Sequence, residues 1–271
     1  MIGVARGHEF GDNDFLTDLY EGWDFNEGSG STTQGVLGNY SGSFLNGATF
    51  NDTYALDGYS SYFSSTSGPP GSDDRIKIEG GKSAWKWMHG AENTSSFAWS
   101  INFWFKPINL NKTGTSNGLY YWGGTSGTGG RGVLYWLENR QSIGRTRRLA
   151  CVIASNNPTP GNVVVLYTNN TYPNDTDWHN VGITYDQSLS TGNCKGYIDG
   201  ELVDTANKSA ITPDVNDPIY DMHIGGYEQY DDYCSYGWQD LHYIWKDRVL
   251  TPEEIRVLYN NGYGFRFKYF K

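Results

Sequence analysis

A chain of 271 residues with a formal net charge of −10 can bury a sizeable core but repels phosphate backbones, so nucleic acid is excluded as an expected partner. Its 21 Tyr, 12 Phe and 10 Trp favour strands and its 35 Gly supply turns; charged residues make up only 18%, so the polar surface rests on Ser, Thr, Asn and Tyr. No run of about 18 apolar residues occurs, so no membrane insertion is expected, and residues 1–8 lack the basic-then-apolar pattern of an export signal.

Short runs with strand-like alternation follow one another along the chain, at 19–25, 44–50, 75–79, 96–106, 118–122, 132–137, 148–154, 162–167, 178–185, 220–224 and 238–245. Within 96–106, Phe97, Trp99, Ile101, Phe103 and Phe105 fall on one face; within 178–185, His179, Val181, Ile183 and Tyr185 do. Between two further runs, at 195–203, Asp199-Gly200 accepts the positive φ angles of a type I′ turn and predicts a hairpin. Near the end, Thr251-Pro252-Glu253-Glu254 is a capping box with proline at the first helical position. Ile255, Leu258 and Tyr259 then give an apolar face, and Gly262 stops the helix. Many short strands with almost no helix between them predict an all-β, antiparallel two-sheet jelly-roll sandwich with one short C-terminal helix docked on it. The cysteines, Cys151, Cys194 and Cys234, are too widely spaced for a metal or redox motif; three reduced thiols are expected, with one bridge and one free thiol as the alternative.

Several segments in this order carry a family pattern. Residues 19–31 run from an aromatic strand, Leu19-Tyr20-Glu21-Gly22-Trp23, into an acidic Gly28-Ser29-Gly30 turn. Asn46-Gly47-Ala48, Leu56-Asp57-Gly58, the aromatic strand 97–107 and Trp178-His179-Asn180-Val181 follow. The Asp199-Gly200 hairpin, Ile224-Gly225-Gly226, residues 237–240 and Leu250-Thr251-Pro252-Glu253-Glu254 close the series. Together these resemble the laminin-G-like domains of the concanavalin A-like lectin/glucanase superfamily. The resemblance covers residues 19–262, leaving 1–18 as an N-terminal arm and 263–271 as a tail whose alternation suits an added strand. The loops at 64–74, 112–130, 156–161, 187–193 and 211–218 look like elaborations.

Glucanases of this superfamily set two carboxylates on one strand face about 5 Å apart, in a Glu-x-Asp-x-(x)-Glu pattern. The sequence has no such strand; Glu201 and Asp204 come nearest, and turn geometry already accounts for them. No nucleophile elbow, Walker loop or His-x-x-x-His pair occurs, so no catalytic residue is expected. The resemblance implies calcium as a possible cofactor, with Asp57 and Asp240 as metal candidates and Asp231 with Asp232 as an alternative pair; solvated carboxylates are the competing reading. For a ligand, the candidates are aromatics in expected loops: Trp85 and Trp87 in one, Tyr227, Tyr230 and Tyr233 in another. Tyr and Trp serve glycan stacking and subunit packing alike. The expected function is a non-enzymatic binding or structural module, extracellular or on a virion surface. There it would contact glycans, other virion or surface proteins, or further copies of itself in a homo-oligomer. A secreted or cell-surface lectin domain is the alternative, and a glycoside hydrolase stands behind both.

Overall fold

The computed structural model describes residues 18–64, 73–92, 96–112, 118–125, 130–155, 161–208, 216–226, 228 and 234–265. The strands among them are β1 (Leu19–Trp23), β2 (Thr32–Thr33), β3 (Gly42–Leu45), β4 (Thr49–Asn51), β5 (Ser60–Phe63), β6 (Arg75–Ile78), β7 (Ala98–Pro107) and β8 (Leu119–Gly124), then β9 (Gly132–Glu138), β10 (Arg148–Ser155), β11 (Gly161–Leu166), β12 (His179–Asp186), β13 (Cys194–Ile198), β14 (Glu201–Ala206), β15 (His223–Ile224) and β16 (Gly237–Lys246). They form two eight-stranded sheets: β14-β13-β12-β7-β16-β5-β4, with β1 also on β16, and β11-β10-β9-β8-β15-β6-β3-β2. Every pairing is antiparallel. This is the expected jelly-roll sandwich.

Alternation decides the core. Phe97, Trp99, Ile101, Phe103 and Phe105 all point inward and meet Trp122, Tyr135, Leu137 and Ile153 from the facing sheet. Val181, Ile183 and Tyr185 extend that layer along β12. Gly196 permits the sheets to close here, because a Cβ on it would lie 2.1 Å from Leu149 Cδ2. His242 also lies inside, its ring stacked on Phe103 at 5.0 Å. Cys151, Cys194 and Cys234 are free and buried, and a hydrogen bond with Cys151, together with burial, pushes the Cys194 thiol well above its ordinary pKa.

The local signals place two elements as read. Asp199 (φ 51°) and Gly200 (φ 81°) turn β13 into β14, the positive pair that a type I′ turn requires. Helix α1 (Pro252–Tyr259) starts at a capping box, with Thr251 Oγ1 accepting from the Glu254 amide and Glu254 accepting back from the Thr251 amide. Its Ile255 and Leu258 dock on the outer face of the first sheet against Trp104, Leu241, Tyr243 and Trp245.

Two expectations change. Residues 44–50 are two strands in different sheets, not one, because Asn46 (φ 63°) and Gly47 turn the chain from β3 to β4. Asn46 Nδ2 donates to the Asp73 carbonyl (2.6 Å) and the Gly47 amide to Asp74 Oδ1 (2.7 Å), fixing the crossing. Residues Lys82–His89 form a 3-10 helix rather than an open loop, and Trp85 and Trp87 on it are buried against Tyr20, Trp23 and Tyr40. The tail strand expected beyond residue 265 lies outside the described residues.

Candidate functional site, an aromatic row on the first sheet

A cross-strand row on the outer face of the first sheet brings several partly exposed aromatic rings together. Thr49 on β4 pairs with Tyr62 on β5, Tyr62 with Trp238 on β16, and Trp238 with Lys106 on β7. Directly paired residues share a face, so the four side chains stand side by side. Tyr62 and Trp238 stack with centroids 5.1 Å apart, and both rings are partly exposed. Tyr54, in the loop after β4, packs on Trp238 with centroids 4.5 Å apart and is itself 44% exposed. Lys106 Nζ lies 5.4 Å from the Tyr54 ring centroid and donates to the Thr176 carbonyl.

Two buried polar groups hold this row in place. Asp240, two residues along β16 from Trp238, is fully buried and accepts from the Leu56 amide (3.2 Å) and the Leu241 amide (2.8 Å). It thereby ties the loop bearing Tyr54 and Asp57 to the strand bearing Trp238. On the other flank, His179 is bonded through Nδ1 to Asp199 (2.7 Å) and through Nε2 to Asp175 (2.8 Å). Burial pulls the His179 pKa down, but the hydrogen bonds to Asp199 and Asp175 outweigh it and leave it raised. With both ring nitrogens engaged by carboxylates, His179 clamps residues 175–177 and the Thr176 carbonyl that holds Lys106; it has no nitrogen left to act as a base.

The order of elements has a family behind it. The model of the concanavalin A-like lectin/glucanases superfamily matches residues 73–256. The chain belongs to this superfamily. Its fold is also that of the receptor binding domain of botulinum neurotoxin D, at 16% identity and a TM-score of 0.58 over 92% of this chain and 54% of that one. The binding domain of Paraclostridial Mosquitocidal Protein 1 is similar at 14% identity and a TM-score of 0.61, over 91% and 53%. Domain 4 of AbnA, an extracellular arabinanase from Geobacillus stearothermophilus solved with arabinotriose, is similar at 15% identity and a TM-score of 0.52, over 89% and 97%. The chain thus spans about half the length of the toxin domains and nearly all of the arabinanase domain. No curated protein matches the sequence.

The residues singled out from sequence fall in different places on this lectin/glucanase-type sandwich. Trp85 and Trp87, expected as a stacking platform, are 0% and 3% exposed and serve as core, because the 3-10 helix turns their rings onto β1. Tyr227, Tyr230 and Tyr233, with Asp231 and Asp232, lie outside the described residues; the flanking Gly226 and Cys234 pair with each other, and the Cys234 carbonyl accepts from the Tyr121 amide (3.3 Å). Asp57 and Asp240 are linked through Leu56, whose amide donates to Asp240 Oδ2, while the Leu241 amide donates to Oδ1. Among the described residues no group of three or more His, Cys, Asp or Glu converges on a common point. Glu201 pairs with Arg256 and Asp204 accepts from Thr168, so neither faces the other as a catalytic pair would.

Tyr54, Tyr62, Trp238 and Lys106 were not singled out from sequence. The signal available was parity: on β5 and β16, Phe63 and Gln239 point inward, so Tyr62 and Trp238 must point out.

Proposed function

We propose that this domain is a non-enzymatic carbohydrate-binding module whose sugar stacks on the Tyr54–Trp238–Tyr62 row. The observation that carries this reading is the row itself: Tyr62 and Trp238 stacked as a cross-strand pair, Tyr54 packed on Trp238 from the neighbouring loop, and an ammonium group at its end. The C–H faces of a pyranose or furanose ring pack on such a surface, and Lys106 and the Thr49 hydroxyl offer donors at its two ends. Two fold relatives give support in kind. Domain 4 of AbnA was solved with arabinotriose, and cell entry of botulinum neurotoxin type C is dependent upon interaction with two ganglioside molecules. The proposed setting is extracellular; a virion surface is compatible with it, but the likenesses are to toxin binding domains and a sugar-binding domain, which favours the glycan reading.

A glycan array read with the native domain and with Trp238→Ala tests this. The native domain is expected to retain a sugar, and the variant to bind it about tenfold more weakly, the ~1.4 kcal/mol of one lost stacking ring. Equal retention by both proteins, no retention at all, or turnover of the retained sugar would overturn it.

A further inference from the structure

The outer face of the second sheet carries a different chemistry, independent of the aromatic row. Here Glu138, at the end of β9, is fully buried beneath three arginines. Arg140 Nε donates to Glu138 Oε1 (2.6 Å), joined by its own Nη2; Arg145 Nη1 donates to the same oxygen (3.0 Å), and Arg148 Nη2 to Oε2 (2.9 Å). Burial pushes the Glu138 carboxyl up, but hydrogen bonds from Arg145 and Arg140 outweigh this and hold its pKa below the ordinary range, so it is ionised near neutrality. Three guanidinium charges against one carboxylate leave a local excess of two positive charges, in a chain whose formal net charge is −10.

The cluster is built rather than scattered. The turn between β9 and β10 folds Arg140 and Arg145 back over Glu138, while the strand pairing sets Arg148 directly opposite Glu138. Arg148 lies 4.4 Å over the Tyr167 ring, a cation–π contact that fixes its plane. Glu138 accepts from four guanidinium nitrogens, although each guanidinium carries five N–H groups, so donors remain. Arg140 and Arg145 keep 30% and 42% of their side-chain surface in solvent. Apolar surface flanks them: Tyr167 is 37% and Ile143 57% exposed.

We propose that this cluster binds a carboxylate-bearing sugar of the uronate class, the carboxylate bridging Arg140 and Arg145 while the sugar ring lies against Tyr167 and Ile143. Guanidinium forks match planar carboxylates in two-point contacts, which a lysine patch would not. Apolar neighbours strengthen such a contact by excluding water from it. The acidic remainder of the protein repels densely charged polyanions, so an isolated carboxylate on a glycan suits the site better than a polyphosphate.

Calorimetric titration with an otherwise neutral oligosaccharide bearing a single galacturonate, and with its carboxyl-reduced counterpart, tests the assignment. The native domain is expected to bind the galacturonate at least tenfold more tightly. Arg145→Gln, at an exposed position that leaves Glu138 two partners, should erase that preference, and Arg140→Gln should weaken it. Trp238→Ala should leave it intact. Equal affinity for the two oligosaccharides, binding of neither, or an Arg145→Gln domain that keeps the preference would overturn the proposal. So would stronger binding of a sulfated oligosaccharide than of the galacturonate. Loss of neutral-sugar binding in Trp238→Ala bears on the aromatic row alone, so the two sites stand or fall separately.

Discussion

Replacing Glu21 by alanine is expected to cost about 4 kcal/mol of folding stability or more, which would leave little of a typical domain's total. Glu21 is fully buried at the first strand and accepts four backbone hydrogen bonds. Oε1 takes the amides of Gly22 (3.0 Å) and Leu37 (2.9 Å), and Oε2 those of Asn39 (2.8 Å) and Tyr40 (3.0 Å). A buried amide left without a partner costs about 1–3 kcal/mol; alanine orphans the buried Gly22 amide and the part-buried amides of Leu37, Asn39 and Tyr40. Gly35 shows how closely the chain wraps this carboxylate, since a Cβ there would lie 2.3 Å from Glu21 Cδ. The loop so held also carries Tyr40, which packs on Trp85, so the damage spreads to that edge of the core. Glu21→Gln should lose less, because one acceptor oxygen survives. Urea unfolding of the three proteins measures this; a loss below about 1 kcal/mol in the alanine variant would show that water replaces the carboxylate without penalty.

Acid is expected to destabilise the domain steeply below pH 6.5, through its interior histidines. His242 is fully buried between the sheets. Gln239 Nε2 donates to the Trp122 carbonyl, so its Oε1 faces His242 Nδ1 (3.4 Å), while the Tyr135 hydroxyl meets Nε2 (3.0 Å). The imidazole is thus neutral with its proton on Nδ1 and its lone pair toward the phenol. Burial pushes its pKa down from 6.5 to about 3, and burial with the nearby Arg75 charge does the same to His223. Below pH 6.5 the unfolded chain takes up these protons and the folded one does not. Each histidine then removes about 1.4 kcal/mol per pH unit until its folded pKa near 3 is reached. His179 works in the opposite direction. Its folded pKa is raised by Asp199 and Asp175, so its contribution is complete below the unfolded value and fades as pH rises through the folded one. Stability should therefore be greatest near pH 6.5. His242→Asn should be less stable at neutral pH yet lose stability less steeply below pH 6.5, by about 1.4 kcal/mol per unit. An unchanged acid slope in that variant, read from denaturant titrations at several pH values, would contradict the assignment.

How far the sequence carried the structure depends on the range of the interactions involved. The inward face of β7, the Asp199-Gly200 turn and the Thr251–Glu254 cap are each written within a few residues, and each forms as read. The break between β3 and β4 was hidden because Asn46-Gly47 sits inside an aromatic run whose alternation continues across it. Trp85 and Trp87 read as loop aromatics because a 3-10 helix has no strong periodic signature, and what covers them, Tyr20 and Tyr40, is far away in the chain. Asp240 stands out in the sequence only as a metal candidate implied by the resemblance, whereas its work as an anchor depends on an amide 184 residues away. The aromatic row is the extreme case. Tyr62 and Trp238 meet only through the register of β5 on β16, and no local pattern specifies that pairing.

The aromatic row is the point at which fold becomes function, and one measurement reads it directly. Ring and indole signals of the tyrosines and tryptophans can be followed by nuclear magnetic resonance while the best-retained neutral sugar is titrated in. Saturable shifts are predicted at Tyr54, Tyr62 and the Trp238 indole, with the buried Trp85 and Trp87 unmoved. Shifts centred on Trp85 and Trp87, or a bound sugar that leaves Trp238 unchanged, would contradict it.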